Sequence, residues 1–413
     1  MKRVSRLLAV MVSLALTGAL LTLGASSAAA APAESRVTPQ GHGSCTATAP
    51  GSRLQRQGAA WTCLKVEGPA PTPVAARVAD RSPADLCTDP SGNRVVSTRH
   101  AYCTRGSVRY ALLNDKGQEI GHALVAVVTP ADLKASSGAQ WREDVTILVA
   151  EMTSNVPAVT LALSSTCSGQ CIAGTPAWGG APVVLGAGEA VEGVLTYSSS
   201  VANGAVSFIQ PTYHVRGEIL GADPVTVHGS WYGPEVRCDA EIRTGPGCIV
   251  MGHLANVTLS RSLYRGAAVA YEWAQKNLTA NNFGTADKPL MRLVDPLDPQ
   301  NKKRRARTCD RGPYAFVRGA TGVPNDSCDE YPFAGTYQGG KDGAQCVDIT
   351  PRAIGGVWDV TGVTVDRGSP PNAPCVRAHV DNDDNKAAGG ELGRAVQSDR
   401  ILNGEWYQVI IVP

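Results

Sequence analysis

The sequence has almost no excess charge: 38 Lys and Arg against 36 Asp and Glu leave a formal +2 over 413 residues. A general basic field for holding polyanions is therefore absent, and any attraction to one must come from local patches. Histidine is scarce, at seven. Cys167-Ser-Gly-Gln-Cys171 has a spacing that zinc can use, but no second cysteine or histidine pair follows nearby, so it reads as a small disulfide loop. Beyond the amino-terminal region no stretch is long and apolar enough to cross a bilayer. Gly179-Gly180 and Gly186-Ala187-Gly188 are followed by no helical pattern, which makes them hairpin turns and not phosphate loops.

What is present describes a folded, exported chain. Hydrophobic residues make up 43% and charged residues 18%, which argues against global disorder, and 413 residues favour two or three domains. Lys2, Arg3 and Arg6 precede the apolar run Leu7 to Leu23, and Ala28 to Ala31 then offer a cleavage site, so residues 1–31 read as a signal peptide. Secretion and no membrane attachment after cleavage follow; a retained anchor is the alternative. Twelve cysteines in an exported chain imply six disulfides. Local spacing suggests Cys45–Cys63, Cys87–Cys103, Cys167–Cys171, Cys238–Cys248, Cys309–Cys328 and Cys346–Cys375.

Composition changes along the chain. Residues 32–80 are rich in Ala, Pro, Gly and Ser and read as a leader or linker with one stapled hairpin. Between 81 and 250, short runs such as Ser107 to Leu113, His122 to Val128, Val145 to Met152 and Ala190 to Tyr197 alternate with Gly, Asn, Pro and Ser clusters. That spacing predicts an all-β, sandwich-like middle domain. From 251 to 413 the pattern is small α+β. Leu263, Ala267, Val269, Ala270, Trp273, Ala274 and Leu278 recur at helical spacing, and an irregular stretch runs from Asn281 to Asp326. Strands are expected at Cys346 to Thr350, Val360 to Val365 and Cys375 to Val380, then a short helix at Gly390 to Gln397 and a last strand at Trp406 to Val412. The whole is a multidomain, disulfide-stabilised protein.

The most constraining segment is Cys328-Asp329-Glu330-Tyr331-Pro332-Phe333-Ala334, followed by Gly335 and Gly339-Gly340. Adjacent side chains diverge, so Asp329 and Glu330 meet at one point only if a turn brings them together, and Pro332 supplies a reason for one. One acid would then hold a divalent cation while the other orients or deprotonates a water. The ordinary reading of two adjacent acids is a hydrated surface turn. The string resembles the signature of the NucA/NucB family of secreted deoxyribonucleases, an Asp-Glu-aromatic-Pro element followed by Gly-Gly. Further along, Asp384-Asn385-Lys386-Ala387-Ala388-Gly389-Gly390 and the closing strand 406–412 stand in the family's order, although Glu391 departs from its usual apolar residue. Upstream, the helix at 264–277 and the run Lys302, Lys303, Arg304, Arg305, Arg307 look like its helix and basic segment.

The resemblance implies hydrolysis of DNA phosphodiesters with little sequence preference, and it favours the functional reading of Asp329 and Glu330 over the surface-turn one. Such chemistry needs an activated water and charge stabilisation beyond what one general base supplies, hence a cation on oxygen ligands, Mg2+ or Mn2+. Asp329 and Glu330 are then the expected catalytic and metal-holding pair. Asn385 steadies a phosphate or water, Gly389-Gly390 let backbone amides approach the substrate at a helix start, and the basic run holds the DNA backbone. The basic run read alone is equally a solvated loop or a processing site. His379 is an accessory candidate without a counterpart in the family pattern, and His253 has no companion. No obligate protein partner is expected. The alternative from another class is a noncatalytic secreted binding or matrix protein with a degenerate nuclease domain. A glycoside hydrolase fits poorly, because its two carboxyls must flank a bond at ~5–9.5 Å.

Overall fold

The computed structural model describes residues 41, 43–67, 82–134, 138–218 and 227–413. The expected signal peptide lies outside them. Strands β1 (Ser44–Ala47) and β2 (Trp61–Glu67) flank a one-turn helix α1 (Arg53–Arg56). Then come α2 (Pro83–Cys87), β3 (Val95–Ser97), β4 (Ala101–Leu113), β5 (Glu119–Asp132), β6 (Gln140–Met152), β7 (Val159–Cys167), β8 (Cys171–Ala173), β9 (Val183–Leu185) and β10 (Ala190–Ser199). The β-rich part ends with β11 (Val206–Ile209), β12 (Pro211–Glu218), β13 (Val227–Tyr232), β14 (Val236–Asp239) and β15 (Gly247–Val250).

The largest sheet runs β1-β2-β4-β5-β6-β10-β8, with β3 also on β4, and two smaller sheets run β13-β12-β7-β9 and β11-β14-β15. Alternation makes this possible. Along β5 every second side chain is buried, as the period of two in a strand requires when one face meets a core. Val125, Ile147, Leu161, Val215 and Val236 from the three sheets share one apolar cluster, so the region is β-rich as expected, with several sheets around a common core. β1 and β2, however, come from the segment expected to be leader or linker. Their hairpin is stapled by Cys45–Cys63 as expected, but β2 also pairs with β4 along its whole length. Trp61 and Leu64 give that hairpin enough apolar surface to join the sheet.

The C-terminal part is α+β. It comprises β16 (Ala255–Ser260), α3 (Arg261–Asn277), β17 (Leu290–Met291), α4 (Lys302–Cys309), β18 (Asp326–Tyr331), β19 (Val347–Pro351), β20 (Val363–Arg367), β21 (Val376–Asp381), α5 (Asn382–Ser398) and β22 (Trp406–Val412). Its sheets are β16-β22-β17 and β18-β21-β19-β20, and α3 packs against both. α3 buries Ala267, Ala270, Tyr271 and Ala274, but Leu263, expected on the same stripe, is exposed. The backbone breaks at Arg265, whose φ is +42°, just after the buried Tyr264, and the apolar stripe runs unbroken only beyond it.

Three further expectations change. The stretch from Asn281 to Asp326 is not irregular throughout, because it contains β17 and the helix α4 that carries the basic run. Residues Val360–Gly362 form a 3₁₀ turn before β20. α5 starts eight residues earlier than expected, capped by the Asp381 carboxylate on the Asp383 N–H, so Gly389-Gly390 lie inside the helix and cannot present free amides. All six disulfides are the expected pairs.

Candidate active site

The Asp329-Glu330 pair lies on β18, a regular strand, and not on a turn. In a strand the two side chains leave opposite faces. Register confirms it: Glu330 stands opposite Arg377 and Asp329 opposite Ala378 of β21. Both acids nevertheless line one cleft of about 610 Å³, because β18 is the edge strand of its sheet. Side chains from both faces of an edge strand can reach around its unpaired side, which no central strand permits. The Tyr331–Pro332 peptide is cis and ends the strand.

Each acid has its own support. The Tyr271 hydroxyl, from α3, donates to both Asp329 oxygens at 3.0 and 2.9 Å. Its ring stacks on Tyr331 and meets Phe333 edge-on. Glu330 faces α4, where Arg305 Nε lies 3.4 Å from Oε1. Both carboxyls are almost fully buried, at 4% and 6% exposure. Burial raises both pKa values. For Asp329 the Glu330 charge adds to the rise, while Tyr271 and Arg305 oppose it. For Glu330 the Arg305 guanidinium and the Glu330 and Ala334 N–H groups oppose it. The two buried acids share the cleft with a third, Asp326, and with the exposed cations Arg305, Arg318 and Lys386.

The basic run divides by function along α4. Asp298 accepts from the N–H groups of Lys302 and Lys303, both at 2.8 Å, and so supplies the cap that Asn301 does not. Lys302, Lys303, Arg305 and Arg307 are exposed, and of these only Arg305 lines the cleft. Arg304 turns inward and donates to the carbonyls of Ala334 at 2.8 Å, Thr336 at 2.7 Å and Gly339. It braces the loop after Pro332. Gly339-Gly340 are needed there for space: a Cβ at Gly339 would fall 1.9 Å from the Phe333 carbonyl oxygen, and one at Gly340 3.0 Å from Arg304.

Asn385, in the first turns of α5, lines the cleft. Its Nδ2 donates to Ser327 Oγ at 3.1 Å and to the Cys328 carbonyl at 3.3 Å, and the second acceptor fixes the amide orientation. Both amide hydrogens are thereby used, so Asn385 offers the cleft an oxygen and no donor for a phosphate. His379 is not brought to the site. It is buried, its Nδ1 is 2.7 Å from Asp326 Oδ2, its ring packs on Phe316, and it does not line the cleft. His253 does have a companion, Ser97 Oγ, 2.8 Å from Nε2.

Sequence reasoning missed Tyr271, Arg318 and Lys386, all of which line the cleft. Tyr271 sits on the apolar stripe of α3 and reads as core, and only the fold shows its hydroxyl turned to Asp329. Lys386 follows Asn385 directly and could have been found from that adjacency. Arg318 lies in a loop with no pattern.

Residues 279–356 match the family model described as Deoxyribonuclease NucA/NucB. The C-terminal part of this chain carries a NucA/NucB deoxyribonuclease domain. No curated protein and no solved structure matches the chain. The matched NucA/NucB segment holds β17, α4, β18 and the cleft acids Asp326, Asp329 and Glu330, and it ends before β21 and α5. The cleft positions of Asn385 and Lys386 therefore rest on geometry alone.

Proposed function

We propose that the chain is a secreted, cation-dependent endonuclease that cuts DNA with little sequence preference, its nuclease region carried on a β-rich region. The observation that carries the reading is the pairing of Asp329 and Glu330 in one cleft on the free edge of β18, inside the matched segment and beside a basic helix. Among the described residues no group of three or more His, Cys, Asp and Glu is disposed to hold a metal ion. Mg2+ asks for less: it binds through one or two carboxylates, keeps several waters and takes the rest of its shell from substrate phosphate. Asp329, Glu330 and Asn385 Oδ1, which line one cleft, fit that sparse set.

A bound cation would supply Lewis-acid stabilisation of the phosphoryl oxygens. The chain's own residues do the rest. Tyr271 fixes the Asp329 carboxylate, Glu330 positions a water, and Arg305, with Arg318 and Lys386 across the cleft, attracts the phosphate backbone. Lys303 and Arg307 extend that attraction along the exposed face of α4. Six disulfides suit an oxidising destination outside the cell.

The test is the purified full chain incubated with plasmid DNA, with Mg2+ or Mn2+ and with a chelator. Nicking that the chelator abolishes, and that Asp329→Asn and Glu330→Gln each lose while remaining folded, is the expected outcome. Full activity in both single variants would remove the pair as catalysts.

A further inference from the structure

The segment joining α5 to β22 is gripped by the β-rich region through a buried ionic cluster. Arg99, from the turn before β4, donates through Nε to the Asp399 carbonyl at 2.7 Å, and through its terminal nitrogens to the His253 carbonyl at 2.9 Å and to Glu405 Oε1 at 2.5 Å. Arg237 of β14 pairs with Glu405 Oε2 at 2.7 Å and donates to the Arg400 carbonyl. Arg400 in return donates to both carboxylate oxygens of Asp239 and to the carbonyls of Asp239 and Gly245. His100 Nε2 lies 3.0 Å from Asp399 Oδ1. Arg99, Arg237 and Arg400 are 7%, 4% and 7% exposed, and Asp239 is fully buried.

This cluster sits at the C-terminal end of α5, where the last carbonyls need donors and positive charge is favourable. Arg400 adopts φ +49°, a conformation costly for a non-glycine residue, and its contacts with Asp239 and Gly245 hold it there. α5 itself buries Ala388 and Ala395, and its Leu392 and Val396 pack partly buried on the same core. That apolar face seats the middle and C-terminal turns against the core, while the polar first turns depend on how the helix is held at its ends. At the other end stand Asn385 and Lys386, lining the cleft.

We propose that Arg99 and Arg237 of the β-rich region are positioning residues for the nuclease site: by clamping residues 399–405 they set where α5 presents Asn385 to Asp329 and Glu330. The proposal rests on the nuclease reading for its kinetic consequence, but its structural consequence stands apart from it. Displacing a substrate-positioning group by about 1 Å can cost ~10²-fold in rate, so a loosened clamp acts on turnover and leaves the exposed cations of α4 in place.

The experiment compares the full chain with Arg99→Ala, Arg237→Ala and the milder Glu405→Gln, and with Val149→Ala as an equally destabilised control in the core of the β-rich region. Two readouts are taken: kinetics on a short duplex with Mn2+, and amide hydrogen exchange of residues 382–392. Expected for the clamp variants is a ~10- to 100-fold loss of kcat with KM within ~2-fold, and faster exchange in α5. Val149→Ala should keep the kcat and the α5 exchange of the wild type. Wild-type exchange in α5 for a folded Arg99→Ala or Glu405→Gln would overturn the proposal, as would an equal kcat loss in Val149→Ala. Should the wild type cleave no DNA, the nuclease reading fails and the exchange measurement still decides the clamp.

Discussion

Arg304 and its neighbours on α4 separate two kinds of arginine that one basic run had merged. Removing the Arg304 side chain deletes donors to three carbonyls, those of Ala334, Thr336 and Gly339, on the loop that closes the cleft. A hydrogen bond to a charged group contributes ~1.5–3 kcal/mol, and Arg304 is only part-buried, so the freed carbonyls regain some water. Taking the net as ~1 kcal/mol per carbonyl gives a destabilisation of about 3 kcal/mol for Arg304→Ala. The triple variant Lys302→Ala, Lys303→Ala, Arg307→Ala removes exposed side chains that do not line the cleft, and its stability should change by under ~0.5 kcal/mol per site. Duplex affinity should behave in the opposite way. Each lost phosphate contact lowers the slope of log K against log salt by ~0.9, so the triple variant should lose up to ~2.7 from that slope while Arg304→Ala keeps it. Urea unfolding and fluorescence-detected binding of a short duplex over a salt series measure both quantities. An Arg304→Ala protein with wild-type stability and a shallower salt slope would refute the assignment and return Arg304 to the DNA surface.

Tyr271→Phe should leave the stacked rings of Tyr271, Tyr331 and Phe333 in place but free both Asp329 oxygens; we expect a ~10-fold or greater fall in kcat at little change in KM, and wild-type kcat would show that Asp329 needs no such support. In the β-rich region Glu143 is fully buried, with Oε1 accepting from Tyr102 and Tyr213, and its pKa is pushed up to about 7, chiefly by burial. A carboxyl whose folded pKa is raised lends its full stability below the unfolded value and loses it as pH rises through the folded value. Unfolding free energy should therefore drop by about 3 kcal/mol between roughly pH 4.5 and 7 from this group. Glu143→Gln should flatten that window in urea titrations at several pH values, and an unchanged pH slope would place the proton elsewhere.

The fold was legible wherever one face of an element meets a core. The strands of the β-rich region announce themselves by alternation, α3 by Ala267, Ala270 and Ala274, and the disulfides by short spacing. β12 was not legible, because it opens with Pro211 and includes Arg216 on an outward face. α5 was read too short because its first turns are polar: Asp383, Asp384 and Asn385 look like a solvated loop until Asp381 is seen to cap them. The site was legible as a pair of acids but not as a geometry. Local sequence offers only a turn as the means of joining two adjacent carboxylates, whereas the fold uses a property of sheet order that no local pattern encodes.

That property links the chemistry to the rest of the molecule. An edge strand exposes unpaired backbone groups, which invite another strand unless something covers them. On β18 the cover comes from Asn385, whose Nδ2 takes the Cys328 carbonyl on the edge and Ser327 Oγ beside it. The residue that offers the cleft an oxygen thus also caps part of that edge. Shifting α5 would reopen the edge and withdraw that oxygen together, so the cleft stays intact only while α5 is held in place. The apolar face of α5, Ala388, Leu392, Ala395 and Val396, seats the helix sideways, and in the clamp proposed above the arginines of the β-rich region at residues 399–405 add the hold along its axis. On that proposal the β-rich region needs no ligand of its own to act on the cleft: by holding residues 399–405 it would set the polar first turns of α5 against β18.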